Sequence, residues 1–517
     1  MEEMKMKKRT KRAVSMVLAA GMIASLVVGA SADEGFHESG LPITDEPVTL
    51  TVLTTRWGNM GDSFTANKFL TDLEENSNVH IEWQVQSLND WSEQKGIMLA
   101  SGEATGFRMN VDGRKGSSFN NVGILANDSM YVFVEVTVDP NGGNQPLLIQ
   151  DSVLFTVNGI RQSVLLEAYG QDVNLYKGGV TITKDSILTA NRPYLIYDSL
   201  VIAKGVSLNI EKGATFYMHD KASLIVHGSM NALGTLDEPI TFRGDRLDYI
   251  LNDILPYDRT PGQWGGITFK ADSYGNVWDN VIVRNGTSGV YCELSTPDRP
   301  KIKINNSQIT NMGSDLFFAI NCDVIATNTE FSNAGGSVLT LVGGKYYFAH
   351  CTMANYMSLT KREMASETVP LDSKCLYLLN NVTVDGNGPY PITQAYFDNC
   401  TIDGSYDVEL KADGSTDFDY RFNHCALKAK ESSSDHFKEV LFIKKTPSYR
   451  KVGGKQNKYT YDFRPDSVST TGVGKADPEI TKNYPIDRYG VNRLTSSNGP
   501  TIGAYEFVQE ETEDSNQ

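Results

Sequence analysis

In "SLVIAKGVSLNIEKGATFYMHDKASLIV" (199–226) apolar residues come in alternating pairs: Leu200/Ile202, Leu208/Ile210, Phe216/Met218 and Leu224/Val226. Alternation within a pair is the two-residue period of a strand with one face buried. The pairs themselves recur every eight residues, and Gly205 and Gly213 stand in the gaps, where the chain must turn. Three such faces make a unit of 24 residues, the size of one coil of a three-faced parallel β-helix.

A second pattern gives the same period. The order polar (Ala349 in one case), Asn or His, small, any, apolar occurs with Asn280, Asn306, Asn328, His350, Asn381, Asn399 and His424 at its second position. The apolar positions, three residues later, are Val283, Ile309, Phe331, Met353, Val384, Ile402 and Leu427. The mean step is 24, with trims and loops in individual coils. In a parallel coil, equivalent residues stack about 4.8 Å apart, so these seven are expected to form one structural ladder with amides bonding along it. The residue after each must be compact: Val281, Ser307, Thr329, Cys351, Val382, Cys400 and Cys425. The pattern predicts a mainly β protein whose residues 175–430 form a parallel β-helix of roughly eleven coils, a rod ~50 Å long. Its open ends need caps.

Other segments fall off this period. Residues 104–174 are β-rich, with "MYVFVEVTV" (130–138) alternating and "VLFTVNGIRQSVLLEAYG" (153–170) reading as a hairpin about Asn158-Gly159. They predict a small β-sandwich-like module. Residues 33–103 alternate strand and helix: strands at 46–59 and 79–86, helices at 66–78 and 90–103. Residues 431–507 are expected to end and cap the rod, and 508–517 are an acidic tail. The first 32 residues read as a signal peptide: a basic start, the apolar run "AVSMVLAAGMIASLVVGA" (13–30) and the small-residue site "ASA" (30–32). No second apolar run long enough to cross a bilayer follows. The expected product is exported, extracellular or at the cell surface.

Composition narrows the partners. Net charge is −16, and a nucleic-acid surface needs clustered Lys and Arg, so nucleic acid is not expected. Six Cys in an exported chain invite a disulfide framework, yet Cys351, Cys400 and Cys425 occupy the small ladder position interchangeably with Val, Ser and Thr. They read as buried structural thiols. No CxxC pair and no Cys–His combination has metal-ligand spacing, so neither metal nor cofactor is expected.

Two resemblances add to this reading. "FRMNVDGRKG", "VFVEVTVDP", "LEAYGQDV", "GTLDEPITFRGDR", "GQWGGI" and "GPTIGAYEF" resemble the secreted right-handed parallel β-helix proteins of Bacteroidota surfaces, over about 104–507. That resemblance implies a surface, adhesin-like or polysaccharide-associated role. The β-α-β-α order of residues 33–103 resembles the first piece of a family 1 extracellular solute-binding protein and stops at Glu103, without the opposing lobe. The chain thus reads as two unrelated pieces joined near 103–106.

For chemistry, the loop-rich "FRGDRLDYILNDILPYDRTPGQWGG" (242–266) gathers Asp245, Arg246, Asp248, Asp253, Asp258, Arg259 and Trp264. Acids, arginines and an aromatic on one loop are the equipment of a sugar site. The competing expectation is a solvated loop whose Trp packs the next wall. The leading expectation for the whole chain is a non-enzymatic surface or adhesin-like β-helix associated with polysaccharide or with host or cell-surface glycans. The alternatives are a polysaccharide lyase or glycosidase on the β-helix, and a sugar-binding component of an ABC importer.

Overall fold

The computed structural model describes residues 41–42, 44, 47–56, 68–87, 107–125, 127–137, 146–362, 373–413, 418–445 and 447–509. The signal peptide, the helix expected at 90–103 and most of the acidic tail lie outside the described residues. The chain forms two compact units, one of residues 1–141 and 146–170, the other of 142–145 and 171–517.

In the first unit, strands Val48–Arg56 and Val79–Ser87 pair in parallel, with helix Lys68–Ser77 between them in sequence. Strands Phe107–Val111, Arg114–Gly116 and Val132–Val136 form a small antiparallel sheet. Strands Leu147–Val157 and Ile160–Gly170 pair along their whole length. Their turn is Asn158-Gly159, with φ of 52° and 78°, the two positive values a two-residue hairpin turn requires.

The second unit is a parallel β-helix. Its strands fall into three parallel sheets of 11, 9 and 10 strands, which the chain visits in that order on each coil until the last, which skips the second sheet. The eight-residue step is visible directly. Ser199–Ile202 lies in the second sheet, Ser207–Ile210 in the third, Thr215–Met218 in the first and Ser223–Val226 in the second again. Leu200 is therefore in register with Leu224, and Ile202 with Val226. All four apolar pairs point inward and are buried. Like stacks on like through the core: Tyr194, Phe216 and Phe242 have ring centroids 4.9 and 4.6 Å apart, and Phe348, Phe397 and Phe422 follow at 5.1 and 4.9 Å. Each fully buried aromatic or aliphatic side chain contributes about 1.5–3 kcal/mol over leaving it exposed.

Six of the seven ladder residues turn one corner. Asn280, Asn306, Asn328, His350, Asn399 and His424 each join a third-sheet strand to a first-sheet strand, with φ between 48° and 53°. That left-handed backbone is where Asn is tolerated and most L residues are strained. The apolar positions three residues on form one inward row, Val283, Ile309, Phe331, Met353, Ile402 and Leu427. Asn381 does not belong to the stack. It follows second-sheet strand Leu376–Leu379 and opens the hairpin Val382–Val384/Asn387–Tyr390, which carries Val384 out of the core row. His350 and Asn399, 49 residues apart, are consecutive in the stack and in contact at 3.0 Å. That one coil carries the extra chain that the mean period had counted as a coil of its own.

The compact position beside the corner does more than save space. The Val281 N–H donates to Ser307 Oγ (3.1 Å), Ser307 N–H to Thr329 Oγ1 (3.3 Å), Cys351 N–H to Cys400 Sγ (3.5 Å) and Cys400 N–H to Cys425 Sγ (3.4 Å). In return Ser307 Oγ donates to the Asn305 carbonyl (2.6 Å), and Cys400 Sγ to that of Asp398 (3.3 Å). Ser, Thr and Cys share this geometry. All six cysteines are buried and unpaired.

The far end of the chain runs back along the outside of the rod. Asn328 Nδ2 donates to the Ile486 carbonyl (3.0 Å), and Arg488 Nε to that of Ser307 (3.1 Å). The Asp477 N–H donates to Asn399 Oδ1 at 2.6 Å. Tyr505 hydroxyl donates to the buried Glu330 carboxylate. Asn and His side chains of the corner thus hold this strap more than they bond to one another, which revises the expected amide ladder. His350 with Asn399 is a direct link along the stack, and Asn280 and Asn306 share the Asp279 carboxylate at 2.8 and 2.9 Å.

Candidate functional site

The loop expected to hold a sugar leaves first-sheet strand Ile240–Gly244 and returns at second-sheet strand Gly266–Phe269. Its charges are engaged with one another and with the rod. Asp245 Oδ2 lies 2.6 Å from His219 Nδ1. Arg246 grips Asp248 through Nε (2.8 Å) and Nη2, with its guanidinium over the Tyr257 ring. Asp258 sits 3.0 Å from both Arg243 and Arg284. Arg259 Nη1 donates to the Lys458 carbonyl at 2.8 Å, fastening loop to strap. Asp253 occupies a left-handed turn at φ 58°. Trp264 is fully buried and its indole N–H donates to the Arg284 carbonyl (2.9 Å), so it offers no ring face outside. The loop brings the charged residues together and leaves the aromatic in the core.

A more open arrangement lies on the outer face of the third sheet. Strand pairing sets Asn209, Asn231, Val277, Lys303, Ile325, Tyr347, Tyr396 and Arg421 in one outward row, one residue per coil. Two acid–base side-chain pairs border it. Arg421 Nη2 approaches Asp398 Oδ1 at 3.3 Å while its guanidinium covers the Tyr396 ring at 4.2 Å. Lys345 Nζ faces Asp323 at 4.0 Å. Tyr396 donates its hydroxyl to Asp419 at 2.8 Å, which raises the phenol's pKa. Burial, then the charge of Asp398, raises that of Tyr347. Both rings therefore stay neutral, and both residues are half-buried. Burial also lifts the Asp323 carboxyl above its usual range, against the pull of Lys345 and Lys303.

Within the row, at Val277 and Lys303, a surface depression of about 390 Å³ is lined by Tyr274, Gly275, Asn276, Val277, Arg299, Pro300 and Lys303. Its floor is rigid: Asn276 Oδ1 accepts from the Met230 N–H (2.8 Å), and its Nδ2 donates to Ser273 Oγ (3.0 Å) and the Lys301 carbonyl (2.8 Å).

What the row can do chemically follows from spacing. Asp323 and Asp398 stand four residues apart along the strands and two coils apart, roughly 16 Å. A glycosidase pair needs about 5–9.5 Å. Among the described residues no three His, Cys, Asp or Glu side chains gather as metal ligands would. The face has aromatic rings and polar groups at coil spacing, an arrangement for holding an extended polar chain.

The row was missed in sequence although its signal was present. Val277, Lys303, Ile325, Tyr347, Tyr396 and Arg421 each precede a corner Asn or His by three residues. The alignment that finds the ladder also finds them.

Compared with known proteins, the chain matches no family model, no curated protein and no solved structure.

Proposed function

We propose that the protein is an exported, surface-associated β-helix that binds a glycan without cleaving it, and that the third face holds the chain. The observation that carries this reading is the in-register row from Lys303 through Tyr347 and Tyr396 to Arg421. Coils rise about 4.8 Å, close to the length of one sugar ring in an extended glycan, so successive coils meet successive sugars. Tyrosine rings pack against the apolar C–H faces of sugar rings, and their hydroxyls bond to sugar hydroxyls. The carboxylates of this face are too far apart to serve as acid and nucleophile on one glycosidic bond.

The test is affinity electrophoresis and calorimetry of the full chain against a panel of soluble polysaccharides, with reducing-end release followed in the same samples. Binding should weaken at least about tenfold in Tyr347→Ala/Tyr396→Ala, as for loss of a central aromatic contact. Reducing ends should not accumulate. Accumulation, or affinity indifferent to both tyrosines, would sink the proposal.

A further inference from the structure

We infer that the depression between Tyr274, Val277, Arg299, Pro300 and Lys303 is an anion-accepting subsite within this row, taking the carboxylate or sulfate ester of an acidic glycan. The inference rests on the glycan-binding reading of the third face and names the class of glycan.

The first support is a pair of exposed cations without an ion-pair partner in an acidic protein. The chain carries 63 Asp and Glu against 47 Lys and Arg. Among the described residues, Arg299 and Lys303 form no ion pair, and both are exposed. The nearby acids have other partners. Asp298 accepts from Thr296 Oγ1 at 2.7 Å. Asp279 holds the amides of Asn280 and Asn306. Asp323 lies 4.0 Å from Lys345, and burial raises its carboxyl pKa against the charges of Lys345 and Lys303.

The second support is that one cation is held in place. The Arg299 guanidinium stacks 3.8 Å from the Tyr274 ring centroid. That ring is anchored, because Tyr274 Oη accepts from the Thr296 N–H (3.0 Å) and lies 3.2 Å from Thr296 Oγ1. A third cation lies behind it: Lys301 is fully buried, its Nζ donating to Ser295 Oγ (2.7 Å) and the Lys270 carbonyl, 5.0 Å from the same ring. A preordered guanidinium loses little freedom on binding an anion and presents two parallel N–H donors to a carboxylate or sulfate. Pro300 and Val277 supply an apolar wall for the sugar ring. Lys303 belongs both to the depression and to the row, so an anionic sugar seated here continues onto Ile325 and Tyr347.

The experiment is calorimetric titration of the full chain with polygalacturonate, a sulfated galactan and an uncharged dextran, at low and high salt. Arg299→Gln/Lys303→Gln should weaken the charged polymers about tenfold or more and leave dextran binding unchanged, with melting temperature as the folding control. Lys303→Glu should weaken them further. Loss confined to polygalacturonate assigns a carboxylate, and loss confined to the galactan assigns a sulfate ester. Charged-polymer binding that survives these changes but disappears in Tyr347→Ala/Tyr396→Ala would overturn the subsite and keep the glycan-binding face. Binding of dextran alone would overturn the subsite as well. No binding to any glycan would overturn both.

Discussion

At the corner between the third and first sheets, two neighbouring residues solve different problems. The Asn or His adopts positive φ, which few L side chains tolerate, and the next residue satisfies a backbone N–H of the preceding coil. The first requirement was legible because Asn repeats there. The second was read as compactness, since Val, Ser, Thr and Cys share little else in one dimension. Their shared role needs the neighbouring coil to be seen. It also makes a prediction. Cys400→Ala would leave the buried Cys351 N–H without its acceptor, costing about 1–3 kcal/mol in urea unfolding. Cys400→Ser should cost clearly less, because Ser307 already fills this role for Val281. Equal losses in the two variants would mean that volume alone matters. The same corner explains Asn381. Its φ of 55° matches the ladder, yet it sits at another turn. Residue type reports the hand of the backbone there and says nothing of which corner is being turned.

At the scale of elements, the strands and their period were readable because inward residues must be apolar on every coil. The strap over the corner was not, because its contacts join residues far apart in sequence through single hydrogen bonds. His350 is the clearest of these. It is fully buried, lies 3.0 Å from Thr481 Oγ1 and 3.3 Å from the Gly503 carbonyl, and touches Asn399. Burial, reinforced by the nearby Arg493 charge, lowers its pKa well below the ordinary 6.5. Arg493, itself lowered to about 10 by burial, donates to the same Gly503 carbonyl. The unfolded chain takes up a proton on His350 near 6.5 while the folded chain does not, so unfolding is favoured as pH falls below that value. The stabilisation is present in full above about 6.5 and is lost below it, by up to ~1.4 kcal/mol per pH unit. Asp403 and Glu506, whose carboxyl pKa values burial raises, act in the opposite sense, so the comparison must be internal. Melting temperature measured from pH 7.5 to 5 should fall less steeply in His350→Asn, whose side chain suits the corner, than in the parent. Parallel slopes would show that His350 does not titrate on unfolding.

For the whole molecule, the two compact units differ in what holds them together. In the second unit one continuous core runs from Leu188 to Leu427, and two smaller clusters lie under the strap, which returns to Ser307 and to the loop at Arg259. Residues 41–170 contain a two-stranded parallel sheet, a three-stranded sheet and a two-stranded hairpin. Small sheets of this kind bury little surface, and an isolated two-stranded hairpin is marginal in water. The hairpin leaves Val157, Ile160, Val164 and Leu165 more than half exposed, at 67, 69, 54 and 59%. In the sequence the α/β pattern of 33–103 breaks off at Glu103, without the opposing lobe, which marks that segment as the weak part. Residues 104–170 looked sounder because alternation announces strands without announcing what they pack against. Limited proteolysis of the full chain should therefore leave a resistant fragment beginning near Gln171 and extending to about Phe507. Its main thermal transition should match that of the intact protein, since the strap and core are retained whole. A resistant fragment beginning near residue 104 would show that the hairpin and small sheet are stabilised together with the rod. Loss of the strap before the N-terminal unit would show that the corner contacts at His350 and Asn399 are weaker than their burial implies.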